Sequence, residues 1–571
     1  MSPDSLKRYW HTIRHLRPIQ YVGYASRLIQ RALPPGPVKV GGVVLRTSSF
    51  SPLTPFLPAS CSVSGTATTF LNETFDHGNE IRWCPDGKPK LWRYRLQSMD
   101  FLRQPGLTRS AKRSWMLSWV QGNPKPAEEG WEPYPTSLRV VNWLKVWWEQ
   151  GVVEEDQALR ESLYAQARHL RRFIEWHLQA NHLFENIKAV FLAGCAFTSA
   201  ESEGWKRWAA QLLCREIREQ VLGDGGHCER SPMYHALVLE GCLDLLNVEV
   251  LWKNDHPELF ELLRSTTPSM LAWLEAMVHP DGEIALFNDA VLRVPASAGL
   301  LMDYGRKLGL TWPSDKASRF LKDSGYALIR DDQHYIVVDV GPIGPDYQPA
   351  HGHCDLLSFE WSVGPRRFIC DTGVFAYQDE VMRPYVRSTR AHNTICVDLQ
   401  DQSEVWKEFR VGRRARPIGV QMERASDGAW VVIGGHDGYR RLHGRPIHRR
   451  RFRYLNGALA IEDAIEGRGT HEIEAYLHFH PRVNLDCNSG QRVEIFEPDK
   501  RIGSVLHTGW QDVAIVSGWY CEEFGKREPR TVLKLKAKAT LPFEAKVEIT
   551  VDDKNKAVSH EHSFRDRKLS S

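Results

Sequence analysis

Residues 351–373 read HGHCDLLSFEWSVGPRRFICDTG, and residues 387–395 read RSTRAHNTI. His351 and His353 lie two apart on a run of β character, and alternation along a strand puts both imidazoles on one face. Asp371 closes the next apolar run, RRFICD, where a hairpin return brings it alongside. His392 opens a further strand-like run, HNTICVD. Two imidazoles and a carboxylate, from His353, Asp371 and His392, form a donor set that suits one divalent ion, zinc or manganese, with water filling the remaining positions.

The periodicity differs on the two sides of this stretch. Downstream and immediately upstream, from YALIRD and HYIVVDVG to RTVLKLKAKATLPFEAKVEITV, apolar residues alternate with polar ones and Gly, Asn and Asp break the runs. That pattern predicts an antiparallel β-sandwich. Further upstream, from LWRYRLQSMDFLR to HPELFELLRSTTPSMLAWLEAMV, apolar residues recur at three and four, which predicts about eight helices with short loops. Such helices can close as hairpins in an incomplete toroid, as a bundle or as a solenoid. The expected organisation is a basic helix and loop-rich segment over 1–90, a helical domain over 91–315 and a β domain over 316–571, with a charged tail that frays from about Asp552.

Composition narrows the class. The 571 residues are 42% hydrophobic and 25% charged, ordinary for a globular protein, and the net charge of +4 gives no electrostatic case for nucleic acid. The 20 Trp and 17 Tyr exceed what cores alone require and suit sugar faces. The 11 scattered Cys, without a CxxC, predict free thiols in a reducing compartment. The N-terminus is basic and has no apolar signal core, so the expected location is cytoplasmic, or periplasmic or secreted if a leader was trimmed. This segment is expected to be a helix packed on the body with its Lys and Arg in solvent, the other reading being an amphipathic helix on a membrane surface. No stretch is long and apolar enough to span a bilayer.

Two polar clusters interrupt the helical region. QANHLFENIKAV puts Asn181 and His182 at a helix entrance with Asn186 a turn on, where capping is the plain structural role. GDGGHCERSPMYHALVLE puts Glu229, Arg230, Tyr234 and His235 at the start of another helix. An amide, imidazoles and a phenol converging on one cleft would make an acid/base kit.

These blocks, with HPDGEIALFNDA, HGHCDLLSFEW and RSTRAHNTICVD, resemble the heparinase II/III-like polysaccharide lyases and their glycosaminoglycan and alginate lyase relatives, over roughly residues 90 to 500. The resemblance implies an N-terminal (α/α) incomplete toroid followed by a C-terminal antiparallel β-sandwich. It also implies a cleft between them that cleaves a uronic-acid polysaccharide by β-elimination. Asn181 and His182 would neutralise the uronate carboxylate, Tyr234 would be the acid/base, and His351 would assist. His353, Asp371 and His392 match the family's metal ligands, in a role expected to be structural.

Expected substrate contacts are Arg139, Asn142, Trp92 and Tyr94, then Asn288 and Asp289 in FNDA, with Glu229 and Arg230. Tyr377 or Tyr385 is expected to supply a second phenol, and the runs RPYVRSTR and KEFRVGRRARP to supply cations. To ionise as a base, Tyr234 would need neighbouring positive charge, with Arg230 and His235 as candidates. A hydrolase on the same toroid would need a carboxylate pair drawn from Glu229, Asp281, Glu283 and Asp289. A non-catalytic protein that binds or assembles an anionic polysaccharide is the alternative of another class.

Overall fold

The structure is a computed structural model that describes residues 3–32, 44–46, 53–124, 129–154, 156–252, 255–294, 296–314 and 316–552. The charged tail beyond 552, and part of the loop-rich segment expected before residue 90, lie outside the described residues. Helices α1 (Pro3–Ile13) and α2 (Pro18–Ala32) come first, and three short strands over Ser62–Ser64, Ala67–Phe70 and Glu73–Asp76 form a small antiparallel sheet.

Eight helices then build the helical domain: α3 (Lys90–Ser98), α4 (Arg109–Gly122), α5 (Pro133–Gln150), α6 (Gln157–Arg172), α7 (Ala180–Ala196), α8 (Ala200–Gln220), α9 (Pro232–Val248) and α10 (Pro257–Ala276). A shorter α11 (Ala298–Lys307) follows. Their starts are chemically marked. Asp156 accepts from the Ala158 and Leu159 amides to begin α6, Ser199 and Ser202 form a capping box on α8, and Ser231 with Pro232 begins α9. Helix α7 packs against α5, α6, α8 and α9, and every one of its residues except His182 is buried. A helix apolar on nearly all sides belongs inside.

The β domain begins with a five-stranded antiparallel sheet, Arg319–Leu321, Tyr326–Arg330, His334–Asp339, Phe359–Val363 and Arg366–Ile369. Its runs YALIR and YIVVD are apolar without alternation because both faces are covered. Tyr326, Leu328, Tyr335 and Val337 pack on Trp273 and Met277 at the end of α10, while Ala327, Ile329, Ile336 and Val338 enter the sandwich core. That core also takes Ile395, Ile473 and Leu533 from a four-stranded sheet and Phe452, Ile461 and Ile549 from an eight-stranded one. Strands Ile447–Leu455 and Ala458–Glu466 of the large sheet show strict alternation of burial, so one face meets the core and the other meets solvent.

Candidate active site

Between the helical domain and the β domain lies a cavity of about 990 Å³, lined by α5, α7 and α9 on one side and by the segments at 346–351 and 407–414 on the other. Asn181, His182, Tyr234, His351 and Tyr377, drawn from four separate stretches of chain, all line it.

The first turn of α7 follows a tight turn in which Gln179 and Ala180 take positive φ values of 59° and 45°. Asn181 is therefore not the cap. Its Nδ2 donates to both oxygens of Glu229, each over 2.9 Å, which leaves its Oδ1 and second N–H for other partners. His182 donates Nδ1–H to Glu175 over 3.1 Å and stacks on Tyr134 at 4.2 Å between ring centroids, so its Nε2 is the nitrogen left for the cleft. Asn186 sits beneath, joined to Ser137 and Glu175.

Ser231, the cap of α9, also donates to the backbone oxygen of Asp289 over 2.6 Å, which seats the Tyr234 turn against the loop that carries Asp289. Tyr234 stacks on His351 at 3.8 Å between centroids, and its hydroxyl lies 3.0 Å from that of Tyr377. Burial, and then the neighbouring Tyr377 phenol and the Asp289 charge, push the Tyr234 phenol well above its ordinary range, and burial does the same for Tyr377. Both phenols are neutral proton carriers in this state. His235 does not face them: it is buried, donates to the Met270 carbonyl, and is held neutral with a pKa lowered to about 3 by burial. Arg230 turns away to the Ser324 and Asp323 carbonyls. Neither supplies the positive charge expected beside Tyr234.

Asp289 is the hub of the site. Its two oxygens accept from His351 Nδ1 and His353 Nε2, each at 2.9 Å, and Arg383 closes on both oxygens as a fork. Burial alone would raise this carboxyl, but Arg383 and the two imidazoles hold it well below the usual range. Because a carboxylate only accepts, His351 Nδ1 carries the proton and Nε2 the lone pair. Asn288, at φ 58°, accepts from the His353 amide and donates to the Arg230 carbonyl. Asn288 and Asp289 thus hold the site together from behind; they do not line the cleft.

His353, Asp371 and His392 are buried and present ligand atoms within 4.8 Å of one another. His392 Nδ1 lies 2.6 Å from Asp371 Oδ2. With Nε2 committed to Asp289, His353 Nδ1 is a buried lone pair without a hydrogen-bond partner, and His392 Nε2 is likewise unpartnered. A ligating histidine whose other nitrogen donates to a carboxylate is the usual arrangement around a metal ion, and these residues fit one.

The remaining expectations divide. Asn142, Tyr94 and Tyr377 line the cleft, although Asn142 Nδ2 is spent on the Ser98 carbonyl. Arg139 is fully buried among Gln166 and the Gln97 and Gly130 carbonyls, Trp92 is fully buried with its Nε1 on the Glu73 carbonyl, and Tyr385 sits against Gly518. These three are packing residues. Glu229 acts through Asn181. Of the basic runs, RPYVRSTR turns inward through Arg383 and Arg387, whereas KEFRVGRRARP delivers Lys407, Arg410 and Arg414 to the cleft. Deeper in, the cations are already paired: Arg95 with Asp100, Arg103 with Glu240, Lys145 with Asp244 and Lys188 with Glu185. None of the four hydrolase candidates lines the cleft. Two partners carried no sequence signal, Glu175 behind His182 and Tyr134 beneath it.

A helical toroid joined to an antiparallel sandwich is the fold of heparinase III. The crystal structure of that protein superposes with a TM-score of 0.67 at 16% identity, over 83% of this chain and 80% of that one. Chondroitin AC lyase of Streptomyces coelicolor, solved with chondroitin sulphate, superposes with a TM-score of 0.51 at 11% identity, over 95% and 80%. Residues 64–320 match the heparinase II/III N-terminus and residues 313–561 the heparinase II/III-like C-terminal domain. The chain belongs to the heparinase II/III-like family. It is 23% identical to a heparin-sulfate lyase of Bacteroides stercoris over 54% of this chain and 50% of that protein. It is 24% identical to a heparin-sulfate lyase of Pedobacter heparinus over 57% and 55%. It is also 23% identical to the FtsZ-localized protein C of Caulobacter vibrioides over 66% of this chain and 67% of that one. The matches thus span about half the length of the two lyases.

Proposed function

We propose that this protein is a polysaccharide lyase that cleaves uronate-containing, glycosaminoglycan-like chains by β-elimination. The observation that carries the reading is the pair formed by Tyr234 and His351: a neutral phenol stacked on an imidazole whose lone pair is fixed by Asp289. Its relatives, the heparin-sulfate lyases, and the structurally similar chondroitin AC lyase point to the same substrate class.

Elimination removes the proton on C5 of the uronate, forms the C4–C5 double bond and breaks the bond from C4 to the glycosidic oxygen. His351 Nε2 is the group with a lone pair, so it takes the proton. Tyr234, kept protonated by burial, gives its proton to the departing oxygen, and Tyr377 at 3.0 Å can replenish it. Charge that builds up in the uronate carboxylate is met by the Asn181 amide and by His182, which donates from Nε2 in its doubly protonated form, an oxyanion-hole arrangement applied to a carboxylate. Glu229 and Glu175 hold these two donors in place.

In this reading His353, Asp371 and His392 hold one divalent ion, zinc or manganese, in a structural role. When bound, it supplies fixed ligand directions that keep the His353 ring, and through Asp289 the His351 ring, in position.

The test is ultraviolet absorbance of the conjugated uronate during incubation with hyaluronan, chondroitin, heparan and alginate, comparing wild type with Tyr234→Phe. A rise on one polymer that the variant abolishes supports the lyase. No rise on any polymer from folded protein would shift the reading to a non-catalytic protein that binds anionic polysaccharide.

A further inference from the structure

Helix α2 has the wrong face in solvent for a helix of a freely soluble surface. Its inward arc carries Gln20, fully buried and donating to the His177 and Tyr347 carbonyls over 3.1 Å each, and Gly23, where a Cβ would meet the His177 nitrogen at 2.6 Å. Its outward arc carries Ile19, Val22, Leu28 and Ile29, with Leu28 67% exposed, while Tyr21 and Tyr24, also exposed, border the cleft. An amphipathic surface helix normally shows the opposite pattern. Helix α1 adds two more exposed apolar side chains, Leu6 and Trp10, the latter 61% exposed. Among the described residues fifteen large apolar side chains are exposed, and eight of them are on these two helices. Such a concentration marks an interaction surface.

The same segment holds the chain's positive charge. Residues 1–32 contain six Lys and Arg against one Asp, while the other 539 residues contain 68 Lys and Arg against 69 Asp and Glu. Lys7, Arg8 and Arg14 are exposed beside the apolar arc. A second copy docked on this face would bring two cationic surfaces together, which like-charge repulsion opposes. Exposed apolar and aromatic side chains set among cations are what an anionic bilayer surface accepts.

We propose that α1 and α2 form a docking surface for anionic phospholipid membranes. The hairpin is anchored to both halves of the body, since Trp406 Nε1 donates to Thr12 over 3.1 Å and Tyr24 packs edge-on against His177. Thr12, Ile13 and Leu16 also line the cleft. Docking therefore holds the mouth of the cleft at the membrane surface.

The experiment is sedimentation of the full chain with vesicles of phosphatidylcholine alone or mixed with phosphatidylglycerol, at low and high salt. Wild type should sediment with the mixed vesicles, less so at high salt, and not with phosphatidylcholine alone. Trp10→Glu, Val22→Glu and Leu28→Glu should each weaken partition by roughly tenfold, because each removes a side chain whose burial is worth about that factor. Their melting temperatures should stay unchanged, since these side chains face outward. The proposal is overturned if wild type ignores anionic vesicles, if the triple variant still sediments with them, or if wild type is a dimer that these substitutions dissociate.

Discussion

His351 and His353 donate to opposite oxygens of the Asp289 carboxylate, each over 2.9 Å, so that one buried acid orients a cleft imidazole and a metal-fitting imidazole together. A two-residue spacing along the chain thereby becomes a mechanical coupling. Asp289→Asn can accept from only one of the two rings, and His351 loses the bond that fixes its tautomer. We expect kcat to fall by about 10²–10⁴-fold with KM little changed, as when the carboxylate behind a catalytic histidine is lost. The variant also leaves Arg383 buried without a counter-charge, at a cost of about 3–5 kcal/mol. Adding Arg383→Met should recover much of that stability and none of the activity. Recovery of activity in the double variant would show that Asp289 serves only to neutralise Arg383.

Tyr234→Phe keeps the stacked ring and removes the proton carrier. The expected result is a loss of about 10²–10⁴-fold in kcat, the range for a positioned acid/base group, with substrate binding retained. Tyr377→Phe should cost less, because it removes only the partner at 3.0 Å and leaves the Tyr234 hydroxyl facing the cleft. Steady-state kinetics on the two variants decide the order, and equal losses would mean that the phenols act as one unit.

Asn181→Ala removes one donor from the proposed carboxylate site, for which a loss of about 10²–10³ in kcat is the usual scale. Glu229→Gln should give a weaker version of the same defect, since a glutamine in its place still presents one oxygen to the Asn181 amide. If Asn181→Ala changed KM alone, the amide would bind the ground state and transition state equally.

What could be read in advance follows the range of each interaction. Periodicity is local, so the helices between 90 and 276 and the alternating strands such as Ile447–Leu455 were legible. Strand alternation pairs His351 with His353, yet residues 351–353 form no strand and it is Asp289 that brings the two rings together. Asp289 was quoted in FNDA as a residue facing the cleft, but its role depends on partners 62, 64 and 94 residues away, and no pattern along the chain encodes that. Arg139 illustrates the opposite failure. A guanidinium at a helix end looks like a ligand group, yet five donors in a fixed fork can be satisfied by backbone carbonyls and a glutamine, so the side chain is buried whole. The apolar outward arc of α2 was visible as a helix but not as a surface, because period alone does not say which face meets the body.

Acid should destabilise the helical domain through its buried neutral histidines. Burial lowers His169 to about 4 and His235 to about 3, below the unfolded value of about 6.5. The unfolded chain therefore takes up protons first as pH falls. The stability contributed by these neutral rings is fully present above about 6.5 and is lost progressively toward their folded values. The slope approaches about 1.4 kcal/mol per pH unit for each ring. Urea midpoints should fall between about pH 7 and pH 5, and His235→Gln, which keeps a donor for the Met270 carbonyl, should make the fall shallower. A midpoint that does not move over this interval would mean that the two rings take up protons in the folded state as they do in the unfolded chain.

Chelation tests the proposed structural ion separately from the chemistry. If His353, Asp371 and His392 hold a metal, removing it frees the His353 ring and loosens the Asp289 bridge, so activity should fall by about 10–100-fold and the melting temperature should fall with it. Tyr234→Phe predicts a different pair of readings, activity lost with the melting temperature kept. His392→Ala should start from the chelated values and no longer respond to chelator, whereas a mutation that merely damaged the core would leave the residual activity chelator-sensitive. If wild type resists chelation in both readings and metal analysis of the purified protein finds no zinc or manganese, the three residues are an ion-paired cluster, and Asp371 with His392 at 2.6 Å suffices to hold it.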